Sequence, residues 1–181
     1  MEAQERQAIV FPDYPAFTPN VTPREMFQMR VFGGSYWRTI DSAVTGQRYQ
    51  NVYINYPCLV GLDRNLLAQE RPDNKSNRYE VAAGASLQEW EASGWIAAQD
   101  PYGWVEWYCR FYGGRRSPDD ARQIDRWQKF AGPHSGRFRT NLINKIKKTG
   151  GNIHDYSISP VIRQGLLQWG YELTISDYRA K

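Results

Sequence analysis

The sequence predicts a mainly α fold, with a compact helical array over residues 100–170 and a mixed, partly extended N-terminal part packed on it; an α+β arrangement stays open. Three observations lead there. Four times between residues 100 and 170 a Ser or Asp, in three cases followed by Pro, opens a segment that closes on Gly. Helix ends favour that asymmetry, because a polar side chain satisfies free N–H groups at the start and Gly accepts the left-handed turn at the end. Trp104, Trp107, Tyr108 and Phe111 fall at i, i+3, i+4 and i+7, which is one helical face. Between residues 35 and 82, by contrast, only short alternating stretches occur.

The first helix start is Thr22-Pro23-Arg24-Glu25, where Thr22 and Glu25 form a capping box and Gly33-Gly34 ends the segment. Residues 1–21 before it are Pro-rich and read as an N-terminal arm, in which Ile9-Val10-Phe11 docks as a short strand or as an apolar contact; residues 22–181 read as a single globular domain. Val52 and Ile54 alternate with Tyr49, Asn51, Tyr53 and Asn55, as a strand or extended segment would. Residues 71–78 are a polar loop and 78–82 a second candidate strand. Ser86 and Glu89 form another capping box, opening a helix that Gly94 stops. Four helices follow, opened by Asp100-Pro101, Ser117-Pro118, Ser135 and Ser159-Pro160 and closed near Gly113, Gly132, Gly150 and Gly170. Short connections between them imply a compact array.

Composition narrows the class. Apolar residues make up 41% and charged residues 23%, which suits a soluble globule, while 14% aromatics point to a core built on rings. No run approaches the ~20 apolar residues needed to span a bilayer, so no membrane partner is expected. The charged start Met1-Glu-Ala-Gln-Glu-Arg has no apolar segment of a secretory signal, which points to an intracellular, cytoplasmic or nuclear protein. Cys58 and Cys109 then read as free thiols. With His134 and His154 they show no ligand-pair spacing, and no metal is expected. Phosphate-loop, dinucleotide, zinc-protease and nucleophile-elbow motifs are all missing, and no cofactor is expected.

Charge divides by halves. Residues 1–100 hold 9 Lys/Arg against 12 Asp/Glu, and residues 101–181 hold 14 against 7. The basic half suggests an anionic partner, or else a solvated basic face. Arg115 and Arg116 sit in the turn before a helix N-terminus, where free N–H groups and guanidinium forks suit a phosphate. Asp119 and Asp120 in the same turn would repel one, and pairing with the arginines is the alternative. The helix from Ser135 has Phe138, Leu142 and Ile146 on one face and Arg137, Arg139, Lys145, Lys147 and Lys148 elsewhere. The leading expectation is therefore a nucleic-acid-associated protein. Arg115, Arg116, Arg137, Arg139, Lys145, Lys147 and Lys148 would contact DNA or RNA phosphates, with Trp37 and Tyr112 stacking on bases.

The rival expectation is a small enzyme or a binder of an anionic small molecule. Its Arg/Asp/Trp pocket would draw on Arg38, Arg110 or Arg115, with Asp100, Glu106 and Asp120 as candidate catalytic acids. Asp100, just before Pro101, also reads as a helix cap, and Glu106 and Arg110 as the outer side of the 101–113 helix, with Cys109 at its edge. A protein–protein module using exposed Trp, Tyr and Arg is a third reading.

The stretch D-P-Y-G-W-V-E-W-Y-C-R-F-Y-G-G-R-R-S-P-D-D-A-R-Q-I-D-R-W, with F-G-G-S-Y-W-R at 32–38, W-E-A-S-G-W-I at 90–96 and S-P-V-I-R-Q-G-L-L-Q-W-G-Y-E-L-T at 159–174, resembles a family of small Trp-rich hypothetical proteins of fungi, plants and algae. The resemblance spans roughly residues 30–174 and implies one intact domain; it implies no activity, cofactor or partner.

Overall fold

A computed structural model describes residues 5–181; the first four residues, at the charged start discussed above, lie outside the described ones. The fold is mainly α. In chain order come α1 (Pro23–Gln28), a two-residue pair β1 (Ile40–Asp41) and β2 (Arg48–Tyr49), α2 (Arg64–Leu67), α3 (Leu87–Ala92), α4 (Trp104–Tyr112), α5 (Asp120–Ala131), α6 (Arg137–Lys148), α7 (Pro160–Gln168) and α8 (Ile175–Arg179). Helices α5, α6 and α7 pack on one another in sequence order, while α1 and α5 both pack on α4. Strands β1 and β2 are antiparallel, with Ile40 opposite Tyr49 and Asp41 opposite Arg48.

Both capping boxes form. The Glu25 N–H donates to Thr22 Oγ1 (3.2 Å) and the Thr22 N–H to Glu25 Oε2 (2.8 Å). Ser86 and Glu89 repeat the arrangement at 2.7 and 3.2 Å. The helix expected from Asp100-Pro101 instead begins at Trp104, because the Asp100 side chain is drawn into an ion pair and does not cap. Gly103 takes the cap position at φ +92°, a backbone conformation that favours glycine, while a Cβ there would approach only the end of the Ile96 side chain, at 2.9 Å. After Ser117, α5 starts at Asp120, whose carboxylate accepts from the Ser117 N–H (2.8 Å) and hydroxyl (2.9 Å).

The extended segments are shorter than expected. Pairing stops at Tyr49. Asn51 turns to φ +53°, and Val52–Asn55 forms a 3-10 turn that leaves Ile54 in solvent. Residues 78–82 form no strand, since Glu80 adopts φ +57°. Two short helices escaped the sequence reading. Asp63 caps α2 through the Asn65 N–H, and Thr174 caps α8 through the Asp177 N–H; neither is long enough to show helical periodicity.

Helix α4 lies at the centre. All its residues except Arg110 and Tyr112 are buried, so Glu106, expected on the outer side, and Cys109, expected at the helix edge, are inside. A helix covered all round belongs to a core. The N-terminal stretch read as an arm is part of that core. Phe17 is fully buried, with ring centroids 5.3 Å from Phe11 and Trp127, 5.5 Å from Trp107 and 5.6 Å from Tyr108 and Phe111. Asn20 clamps it to the other end of the chain, donating to the Glu172 carbonyl and accepting from the Glu172 N–H, both at 2.8 Å. Among the described residues no helix is long and apolar enough to cross a membrane.

Truncating Phe17→Ala leaves a void among five aromatic rings. The expected loss is about 3–5 kcal/mol, read as a lower midpoint in urea unfolding.

Candidate functional site

The three candidate acids are committed inside the fold. Asp100 has no exposed surface and accepts a bidentate pair from Arg115 Nη1 (2.8 Å) and Nη2 (2.5 Å); Arg110 stands 3.5 Å away. Glu106 accepts from the Tyr56 hydroxyl (2.5 Å) and the Tyr102 N–H (2.8 Å), with Arg110 Nη2 at 3.4 Å. Burial raises its pKa against the pull of those hydrogen bonds. Tyr56 is pushed up as well, by burial and then by the Glu106 charge. Asp120 accepts from Trp107 Nε1 (2.8 Å) as well as from Ser117. Every carboxylate is thus saturated by donors of the fold itself.

The arginine pair of the 113–117 turn is also occupied, although by partners other than those the spacing suggested. Arg115 reaches back to Asp100. Arg116 pairs with Asp13 at 2.6 Å and lies 3.8 Å over the Phe111 ring. Asp119 is taken by Arg122 at 2.5 Å. Arg139 is buried, pairs with Asp177 at 2.5 Å and stacks on Tyr171, tying α6 to α8. Trp37, expected to stack on a base, is fully buried between Tyr56 and Tyr102 and closed to any ligand. Tyr112 is exposed, as are Lys145, Lys147, Lys148 and Arg137. The lysines crowd the last turn of α6, where cations complement the free carbonyls of the helix end. Cys58 and Cys109, distant in sequence, are neighbours. A hydrogen bond from Cys109 lowers the Cys58 pKa, while burial pushes Cys109 well up. Among the described residues no group of three or more His, Cys, Asp or Glu is arranged to hold a metal.

What the fold leaves open is an aromatic cleft of about 440 Å³. Helix α4 supplies Trp104 and Val105 to its wall, α5 Arg126 and Phe130, and α6 Arg137 and Phe138. The α7 face adds Val161, Ile162, Gly165 and Gln168, followed by Trp169, and the α3 region adds Trp90, Trp95 and Ile96. The seven tryptophans divide by role: Trp37, Trp107 and Trp127 are fully buried, and the other four line this cleft. Its lining holds no carboxylate, imidazole or thiol.

The charged groups of this cleft are two guanidiniums. Arg126 is half-buried between two indoles, 5.4 Å from the Trp95 centroid and 5.3 Å from that of Trp169. It donates to Gln123 Oε1 at 3.0 Å, and among the described residues no acid lies within ion-pair distance. Burial first, and then the neighbouring Arg122, pushes its pKa down to about 10. Arg137 sits 4.2 Å over Phe130, which stacks on Trp169 at 4.6 Å, so rings and cations alternate along one edge. The strap Ala83-Gly84-Ala85 also lines the cleft, held by Gln168 Nε2 donating to the Ala83 carbonyl at 2.9 Å. Gly84 sits at φ +78°, and a Cβ there would meet Gln168 Oε1 at 2.6 Å.

Sequence reasoning missed Arg126, although a signal existed. Its helical neighbours at i±3 and i±4 are Arg122, Gln123, Lys129 and Phe130, which include no acid, whereas Arg122 and Lys129 each have an aspartate in register. Comparison with models of protein families, with curated protein sequences and with solved structures returns no match for this chain.

Two outcomes follow from the buried pairs. Arg115→Met strips Asp100 of its bidentate partner and lowers stability by about 3–5 kcal/mol in urea unfolding, while Arg116→Met, breaking a more exposed pair, has a much smaller effect. The folded pKa of Glu106 lies above its ordinary 4.5. The folded state therefore holds the proton longer, and stability falls as pH rises from 4.5 through the folded value. The difference in stability between the wild type and Glu106→Gln, followed from acid to neutral pH, shows that slope, free of the opposite slope that carboxylates with lowered pKa such as Glu25 give to both proteins.

Proposed function

We propose that this protein binds a small amphipathic anion, an apolar or aromatic body carrying a carboxylate, sulfonate or phosphate, in the cleft between α3, α4, α5, α6 and α7. One observation carries the reading: Arg126 is a half-buried guanidinium with no acid within ion-pair distance among the described residues, held between two tryptophans on the wall of an apolar cavity. A cation partly stripped of water and unpaired gains most from an incoming anion, because the desolvation is already paid in the folded state. The cleft volume of about 440 Å³ falls in the range of small-molecule sites. Apolar rings with a few convergent polar groups are the usual composition of such sites. The lining offers no nucleophile and no acid–base pair of the kind hydrolysis or proton transfer uses. That favours a binding protein over an enzyme.

The nucleic-acid reading has a narrower support. Of its seven cations, Arg115, Arg116 and Arg139 are tied to acids and Arg137 belongs to the cleft edge, which leaves Lys145, Lys147 and Lys148 on the surface. Three charges in one helical turn make a small footprint for tracking a phosphate backbone.

Titration with dodecanoate and with anilinonaphthalene sulfonate, followed by quenching of the cleft tryptophans and by thermal shift, tests the proposal. Both anions are expected to bind and to raise Tm, while dodecanol, with the same body and no charge, binds more weakly. Arg126→Gln is expected to weaken the anions by about tenfold, as loss of one charge-assisted contact does, and to leave dodecanol unchanged. Equal binding of alcohol and acid would remove the anion assignment. Binding of a single-stranded oligonucleotide at low salt, with no response to either anion, would return the reading to the lysine surface.

A further inference from the structure

A second cavity, of about 340 Å³, lies against the first. The two share the strap Ala83-Gly84-Ala85, the rings of Phe32, Tyr36 and Trp90, and Gln168. The boundary between them thus combines three rings with a short stretch of small residues, and that stretch is fastened to α7 through the hydrogen bond from Gln168 to the Ala83 carbonyl. The residues of the strap are intermediate or exposed, and none packs into the core.

The second cavity differs in its chemistry. Ser35, Arg38, Asn74 and Ser86 line it, where the first presents mainly rings and aliphatic groups. No carboxylate lines it either. Arg38 is half-buried; its Nη1 donates to the Ser35 carbonyl at 3.3 Å, and among the described residues no acid lies within ion-pair distance. Each cavity thus holds unpaired guanidinium charge, Arg126 and Arg137 in one and Arg38 in the other, on either side of a shared apolar wall.

We infer that the two cavities are two ends of one site, and that its ligand is an apolar chain or ring system with an anionic group at each end, of the α,ω-dicarboxylate class. The inference rests on the binding reading above and adds the second charge. An apolar cleft alone selects against a second carboxylate, which would be desolvated with no partner. Arg38 reverses that preference by supplying a fork that a carboxylate can engage. The strap, tied by one side-chain hydrogen bond, is the element that shifts for the ligand to span both cavities.

Calorimetric titration of the full chain with dodecanoate, decanedioate, dodecanedioate and tetradecanedioate tests this. At least one diacid is expected to bind about tenfold tighter than the monoacid, the effect of one charge-assisted contact. Arg38→Gln is expected to abolish that advantage and leave dodecanoate binding as it was. The inference is overturned if every diacid binds no tighter than dodecanoate, or if Arg38→Gln weakens monoacid and diacids by the same factor, since Arg38 would then act through the fold. Binding of dodecanoate with no diacid advantage sinks this inference alone. Failure of dodecanoate and all the diacids to bind sinks the binding reading with it. An unchanged far-ultraviolet circular dichroism spectrum and Tm of the unliganded variant keep the comparison valid, and Arg38→Lys, which restores charge without the fork, is expected to recover part of the advantage.

Discussion

Helix α4 is buried along its length except at Arg110 and Tyr112, and the carboxylates of Glu106 and, just ahead of the helix, Asp100 go inside with it. A charge in the interior persists only when it is paired and hydrogen-bonded. The fold meets that demand with Arg115 on Asp100, Arg110 close to both acids, and the Tyr56 hydroxyl and Tyr102 N–H on Glu106. This cluster joins the turn at residue 56, the segment ahead of α4, the helix itself and the turn after it. Much else in the molecule is a consequence of which arginines it consumes.

The arginines that remain define the surface chemistry. Arg116, Arg122 and Arg139 find acids of their own. Arg126, Arg137 and Arg38 have none within ion-pair distance among the described residues, and all three line the two adjoining cavities. A basic half of a chain is usually read as a uniform positive face. Here, among the described residues, six of the fourteen cations of residues 101–181 are held in ion pairs, Lys145, Lys147 and Lys148 stay on the surface of α6, and Arg126 and Arg137 stand where apolar rings also face open space. That coincidence of unpaired cation and apolar concavity is what separates an anion-binding cleft from a generally basic surface.

The tryptophans follow the same logic. An indole is most readily buried when its N–H finds an acceptor, as Trp107 does at Asp120 and Trp127 does at the Trp169 carbonyl, whereas the buried N–H groups of Trp37 and Trp104 find none. These rings build the core around Phe17. Trp95 and Trp169 instead flank Arg126, where the face of the ring supports a cation that has no carboxylate. One residue type thus serves both as packing material and as lining, and the difference lies in what stands opposite each ring.

Local chemistry was legible in the sequence. The capping boxes at Thr22 and Ser86 are side chains acting on backbone a few residues away, and the aromatic stripe of α4 is a matter of helical period, so spacing reports both directly; the four helices between residues 100 and 170 form where they were expected although none has a side-chain cap of its own. The short strands were overestimated because alternation at residues 49–55 carries no information about the positive φ at Asn51 that ends the pairing. The arginines were the harder case. Spacing placed Asp119 and Asp120 nearest to Arg115 and Arg116, whereas the fold brought Asp100 and Asp13 to them across 15 and 103 residues of chain. Ion pairing in a core is decided by which groups are buried together, and that is a property of the packed structure. The sequence by itself therefore determined that helices fill residues 100–170 and that rings would build the interior. Only the tertiary structure decided which charges cancel, because an unpaired arginine is recognised by the acids that are not beside it.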